Sequence, residues 1–155
     1  MSQENVEVVR RWLAAMSDPR AEATLAAVSE FWDPAADYYP IAKWPEAQPC
    51  HGLEEFSRFF ARSREAFTRF DSAVRWLAAV GDDRVMACVR LQWEGRGSGI
   101  ALDGEIYYCY WLRHGRFFRV EDHLTLSGAL HALGLEGETL EAVGLSEQDA
   151  HAEPS

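Results

Sequence analysis

The 155-residue chain predicts an α+β fold, and three observations carry that prediction. Apolar residues in the first third recur at helical spacing. From Asp71 the period changes from about 3.6 to 2. Four β-prone runs then follow, at 71–80, 84–94, 99–112 and 116–124, separated by breaks that suit hairpin links. Helices first and a meandering sheet afterwards predict a sheet curled around the helices.

The first helix is expected over 3–16, with Ser2 as its cap, Val6, Val9, Leu13 and Met16 on its buried stripe and Trp12 on the flank. Asp18-Pro19 reads as a cap followed by a proline at the first helical position, so a second helix is expected from about 19 to 32, stopped by Asp33-Pro34. Four prolines at 34, 40, 45 and 49 make the next stretch an extended piece around Asp37-Tyr38-Tyr39 followed by an irregular loop. Gly52 precedes a third helix over about 53–66, where Leu53, Phe56, Phe59 and Phe60 form a broad apolar face. The breaks after it are Gly81-Asp82-Asp83, Gly95-Arg96-Gly97-Ser98-Gly99 and Arg113-His114-Gly115-Arg116. A short helix is expected at 127–133, and residues 136–155 read as a polar tail, partly disordered, after a single domain over 1–135.

Composition bounds the function. Core packing accounts for many of the six Trp, five Tyr and eight Phe, and so many large rings in a small domain also suit a ligand cavity or a subunit interface. A net charge of −10 with no basic stripe argues against nucleic acid, whose phosphates the overall field would repel. Cys50, Cys88 and Cys109 are odd in number, which favours buried thiols in a reducing compartment and leaves one disulfide open. No stretch approaches a membrane span and no apolar leader stands at the N-terminus, so a cytoplasmic location without membrane association is expected. The five histidines form no short-register ligand cluster, so no metal is expected. No phosphate loop, dinucleotide fingerprint or nucleophile elbow occurs, so no cofactor is expected either.

Chemistry concentrates on the strands. Arg90, Gln92 and Glu94 alternate with the more apolar Val85, Ala87, Val89, Leu91 and Trp93. Alone, that pattern puts Arg90 and Gln92 in water; with both sheet faces covered, it puts them in a cavity. Tyr108 and Tyr110 share one face and Tyr107, Cys109 and Trp111 the other. Neither set is polar, which argues that both faces are covered, by a homodimer through the outer face or by a long helical cover. Asp122, between Val120 and Leu124 on its own face, is either a buried carboxylate or an edge acid in water. His123 beside it points the opposite way. The arrangement expected has Arg90, Gln92, Tyr108, Tyr110 and Asp122 turned inward, with Trp12, Met16, Phe56 and Phe60 closing a cavity of roughly 300 Å³ from the helices.

The segments MSQENVEVVRRWLAAMS, WDPAADYY, CHGLEEFSRFF and YCYWLRHGRFFRVEDHL resemble the SnoaL-like branch of the nuclear transport factor 2-like superfamily over about residues 2–135. The resemblance implies a cone-shaped, curved mixed sheet wrapped around three N-terminal helices, commonly dimerised through the sheet's outer face. It spans polyketide cyclases, ketosteroid isomerases, limonene epoxide hydrolase, dehydratases and binding proteins. The isomerase positions fall on Trp12, on Tyr38 or a neighbour, and on Tyr108, all changed, with Asp37 as a substitute base. The cyclase pattern falls on His123-Leu124-Thr125 and lacks its acid. The epoxide hydrolase pattern keeps Arg90 and Asp122 and has Gln92 in place of an acid. The catalytic set so implied is Asp122, Arg90, Tyr108 and Asp37. The ligand-contacting set is Trp12, Met16, Tyr39, Phe56, Phe60, Gln92, Tyr110 and Leu124. The expected function is binding, and slow acid/base transformation, of a small, mostly apolar, oxygen-bearing molecule; the alternative is a non-catalytic binding or assembly module.

Overall fold

Helix α1 (Ser2–Ser17) begins at Ser2 and buries Val6, Val9 and Trp12. The buried Asn5 amide donates to the Asp82 carbonyl at 2.8 Å and ties this helix to the turn between strands β3 (Phe67–Val80) and β4 (Arg84–Gly95). The structure, a computed structural model, describes residues 2–17, 25–41, 47–97, 101–135 and 140–145. The start of the expected second helix, residues 136–139 and all of 146–155 therefore lie outside the described residues.

Helix α2 (Leu25–Ser29) is shorter than expected at its C-terminal end. Trp32, expected as the last residue of that helix, opens strand β1 (Trp32–Tyr39) instead. Pro34 falls where the pairing of β1 shifts register, so its missing N–H disturbs no regular ladder. Beside it the Asp33 carboxylate accepts from the Ala35 N–H at 2.9 Å. Strand β2 (Cys50–His51) is two residues long and leads through Gly52, at φ 89°, into helix α3 (Leu53–Ala66). Gly52 is needed there because a side chain at that φ is strained. Glu55 reaches back to the His51 N–H at 2.8 Å, holding the helix start.

The hairpin strands follow the expected runs closely. They are β3, β4, β5 (Ala101–Arg113) and β6 (Arg116–His123). His114 and Gly115, at φ 54° and 74°, make the tight β5–β6 turn. Thr125 caps α4 (Leu126–Ala132) by accepting from the Gly128 N–H at 3.0 Å. A final 3-10 turn spans Leu140–Val143.

The six strands run in the order β2-β1-β6-β5-β4-β3, antiparallel except for the parallel β1–β6 pair. The sheet is mixed, as expected, but the cone is not formed. The sheet is neither closed nor strongly curled, and it does not wrap three helices. One edge is the two-residue β2, too short to pair along the 14-residue β3 at the other edge, so closure has no ladder to use. Helices α1 and α3 lie over one face. The opposite face is covered in part by the chain's own C-terminal segment: Ala129, Leu130 and Leu133 pack on Trp76, Met86, Cys88 and Cys109. Part of the cover that the apolar outer row asked for is thus supplied within one chain. No helix among the described residues is long and apolar enough to cross a membrane.

Candidate active site

The main core lies between α1, α3 and the inner sheet face, and it encloses a cavity of about 100 Å³. That is smaller than the cavity expected from sequence, because aromatic rings fill the space. Trp32 and Phe56 stack with centroids 4.0 Å apart, and Trp12 packs edgewise on Trp32 and Phe117 at 5.5 and 6.1 Å. Phe60 continues the Phe56 stack at 5.9 Å.

Strand register sets the polar end of the cavity. Tyr108 of β5 stands opposite Asp122 of β6, and Tyr110 opposite Val120, which in turn stands opposite Tyr38 of β1. Three phenols therefore surround one carboxylate. Asp122 is only 7% exposed, and the Tyr38 hydroxyl donates to its Oδ2. Burial holds the hydroxyls of Tyr38, Tyr108 and Tyr110 well above the usual phenol range, and the charge of Asp122 adds to it. All three phenols are therefore hydrogen-bond donors, not phenolates, at neutral pH.

Two further polar groups line the cavity without a hydrogen-bond partner among the described residues: Trp32 Nε1 and Ser63 Oγ, both buried. The Tyr108 hydroxyl likewise makes no hydrogen bond among the described residues, although its ring packs on Tyr110 at 6.2 Å. Arg64 lies at the other end. Its guanidinium covers the rings of Phe60 and Phe70 at 5.0 and 5.9 Å and donates to the Met16 carbonyl.

Of the residues expected at the site, Trp12, Met16, Phe56, Phe60, Tyr108, Tyr110 and Asp122 line this cavity. Five do not. Arg90 stands in the outward row of β4, opposite Glu105, and pairs with Asp103 at 3.0 Å; Gln92 bonds the same carboxylate at 3.2 Å. The side chains at 87, 89 and 91 are the inward ones, in line with Tyr108 and Asp122, so alternation puts Arg90 and Gln92 on the opposite face. The expected Arg90–Asp122 pair is not formed. Asp37 and Tyr39 flank the inward Tyr38 and so also face outward. Asp37 bonds His51 Nδ1 at 2.8 Å and raises that imidazole's pKa, while the Arg119 guanidinium sits 4.6 Å over the Tyr39 ring. Leu124 lies past the end of β6 and is 43% exposed. Arg90→Ala should accordingly leave the unfolding midpoint and any ligand affinity unchanged within error. A large loss of either would return Arg90 to the site.

The sequence reading missed Tyr38 as an Asp122 partner, Trp32, Ser63 and Arg64. Alternation over Ala36 and Tyr38 against Asp37 and Tyr39 was the available signal for Tyr38. Ser63 and Arg64 follow one turn after the Phe59–Phe60 pair of α3 and carried no signal of their own.

His123 faces outward, as alternation required, and bonds Glu121 at 3.2 Å. The thiols of Cys50 and Cys88 are pushed up by burial to about 11 and 12, and Cys109 is raised as well, so none is poised as a nucleophile. Among the described residues no three His, Cys, Asp or Glu side chains cluster in a way that could hold a metal.

In fold the chain is similar to Bal32a from a soil-derived mobile gene cassette, at 24% identity and TM-score 0.68, covering 79% of this chain and 89% of that one. It is similar to a protein of ketosteroid isomerase-like fold from Catenulispora acidiphila, solved in complex with trimethylamine, at 20% identity and TM-score 0.60, covering 84% and 94%. TerC, co-crystallised with polyporic acid, matches at 19% identity and TM-score 0.61, covering 84% and 97%. No curated protein matches the sequence. The profile of the SnoaL-like domain matches residues 9–123, the span that supplies every described strand and every described residue lining the cavity, and the chain belongs to that family.

Proposed function

We propose that the protein binds a small, mostly apolar molecule through an oxygen acceptor, with the apolar body among Trp12, Trp32 and Phe56 and the oxygen toward Tyr108. The observation that carries this reading is the set of donors lining an otherwise aromatic cavity: the Tyr108 hydroxyl, Ser63 Oγ and Trp32 Nε1. A buried donor without an acceptor costs about 1–3 kcal/mol, and an acceptor oxygen on a ligand relieves it. Solved proteins of this fold have been crystallised with small organic molecules, TerC with polyporic acid and the Catenulispora protein with trimethylamine.

Asp122 supports a second step at the same place. It is the one carboxylate among the described residues lining the cavity, and it stands opposite Tyr108 across the β5–β6 ladder. A ketone whose oxygen accepts from Tyr108 would present its neighbouring C–H to Asp122. Transfer of that proton to the carboxylate leaves an enolate whose oxygen Tyr108 stabilises, and return of the proton regenerates both.

Cyclohexanone in deuterated water tests both claims, by ligand-observed NMR for binding and by loss of α-proton signal for transfer. Tyr108→Phe should weaken binding about five- to tenfold, the equivalent of one buried hydrogen bond. Asp122→Asn should abolish enzyme-dependent exchange while binding persists. Binding without exchange in the wild type would leave a binding protein and remove the catalytic step. Equal binding by Tyr108→Phe would overturn the proposed orientation.

A further inference from the structure

The residues that helix α3 buries are Phe56, Phe59 and Ser63. The two rings are what a core takes. Ser63 is not: serine is mostly a surface residue, yet this one is only 7% exposed. A serine inside a helix commonly turns its hydroxyl back to the carbonyl four residues earlier, here that of Phe59. Ser63 Oγ makes no hydrogen bond among the described residues, so neither that carbonyl nor a neighbouring side chain takes it. Alanine at this position would form the helix better and would leave no polar atom dry. A hydroxyl held there in spite of both effects is accounted for by a polar group on whatever occupies the cavity that Ser63 lines.

The helix sets the place of Ser63 relative to the phenols. Phe59 packs on the Tyr38 ring at 5.6 Å, and the Tyr38 hydroxyl donates to Asp122, so Phe59 stands at the carboxylate end. Phe67, which opens β3, packs on Trp93 at 5.0 Å, well along β4 from Ala87, the residue opposite Tyr108. Ser63 lies midway in the chain between Phe59 and Phe67, on the same face of α3 as Phe59. One helical turn, about 6 Å, separates its backbone from that of Phe59. Its hydroxyl swings between staggered rotamers about a single bond, so it can meet a group in the cavity without movement of the helix.

We propose that the ligand carries a second oxygen function, held by Ser63, on the far side of a small ring from the oxygen that faces Tyr108. The cavity of about 100 Å³ limits the apolar body to one such ring. A six-membered ring with oxygens at its 1 and 4 positions spans about one helical turn, so a single molecule meets both groups. The ligand class is therefore a small cyclic ketone bearing a hydroxyl across the ring. A hydroxyl suits Ser63 because each partner can donate or accept. A site built around a hydrogen bond rejects an analogue that lacks the bonding group, because its own buried polar atom is then left unpaired. The inference rests on the binding reading above and adds to it the ligand's second functional group.

4-Hydroxycyclohexanone and 4-methylcyclohexanone, alike in shape and different only at that end, test it on the full chain by titration calorimetry or saturation-transfer NMR. Wild-type protein should bind the hydroxyl compound at least as tightly as the methyl compound, although water holds the hydroxyl compound more strongly. Ser63→Ala should shift the ratio of the two affinities about five- to tenfold toward the methyl compound. The melting temperature of that variant should stay level or rise, because no bond within the protein is lost. Tyr108→Phe, by contrast, should weaken both compounds alike, since both carry the ketone. A ratio unmoved by Ser63→Ala would overturn the role of Ser63 while leaving the binding reading intact. A fall in melting temperature of more than about 4 °C in Ser63→Ala would mark the hydroxyl as a structural group and overturn that role equally. If neither compound binds the wild type, both readings fall together.

Discussion

Phe56→Ala is expected to be among the most damaging single changes in the protein, costing about 3–5 kcal/mol. Phe56 is 4% exposed, and its ring meets Trp32 at 4.0 Å, Tyr38 at 5.3 Å, Phe60 at 5.9 Å and Trp12 at 6.0 Å. It therefore joins helix α3 to α1 and to β1 at once. Removing it opens a void beside the cavity, and four rings lose a neighbour that no backbone shift can replace. For a domain of this size the melting temperature should fall by about 6–20 °C. The same change enlarges the cavity, so apolar probes one ring larger than cyclohexanone should gain affinity relative to it in whatever fraction remains folded. Chemical denaturation of the variant, with and without such a probe, measures both effects. A cost under about 1 kcal/mol would mean that Phe56 is not the residue around which these walls are built.

Most of the element order was legible because each element satisfies its own local rules. The apolar stripe of α1, the Gly52 start of α3 and the two-residue turn at His114-Gly115 need nothing from the rest of the chain. Helix α2 was misjudged because Phe31 and Trp32 continue a helical apolar spacing although the chain has already turned extended. Nothing local distinguishes a tryptophan that ends a helix from one that opens a strand. Closure of the sheet depends on partners far apart in sequence. β1 pairs in parallel with β6, some 80 residues later, and the short β2 leaves its edge unmatched to β3. No periodicity reports that, and a family resemblance carries an overall shape that this chain does not adopt.

The site was half legible for a different reason. Alternation shows which residues of one strand share a face; it does not show which face of the next strand lies beside it. Asp122, Tyr108 and Tyr110 could be grouped because the tight β5–β6 turn sets their register. Across the longer link between β4 and β5 the parity was taken the wrong way round, which turned Arg90 and Gln92 inward. The composition of β4 held the correction: Val85, Ala87, Val89, Leu91 and Trp93 are the set a core would choose, and in the structure they are all buried. Chemical resemblance to an Arg–Asp hydrolase site outweighed that hydrophobic signal, and the hydrophobic signal was the better guide. What the register does deliver is a carboxylate among phenols, with Tyr38 as the partner that Arg90 was expected to be.

That arrangement should make the fold strongly sensitive to alkali. In the unfolded chain a tyrosine releases its proton near pH 10. Tyr38, Tyr108 and Tyr110 are held well above that value in the folded protein, first by burial and then by the Asp122 charge. Above pH 10 the folded state therefore holds more protons than the unfolded one, and stability falls as pH rises. With all three phenols protonated in the fold, the decline reaches about 4 kcal/mol per pH unit. Set against a total stability of about 5–15 kcal/mol, that slope alone should unfold the protein between about pH 11 and 14. The buried thiols act in the same direction and start the decline below pH 10. Urea midpoints measured across this range, together with near-ultraviolet tyrosinate absorbance and far-ultraviolet circular dichroism, provide the check. The main rise in tyrosinate absorbance should coincide with loss of secondary structure. Tyr38→Phe should lower neutral-pH stability by about 1.5–3 kcal/mol, because the buried carboxylate loses a donor. It should also make the alkaline slope shallower, because one withheld proton is gone. Tyrosinate forming in bulk while the circular dichroism stays native would mean that the phenols are open to solvent, and the dry, donor-lined cavity on which the binding reading depends would be lost with them.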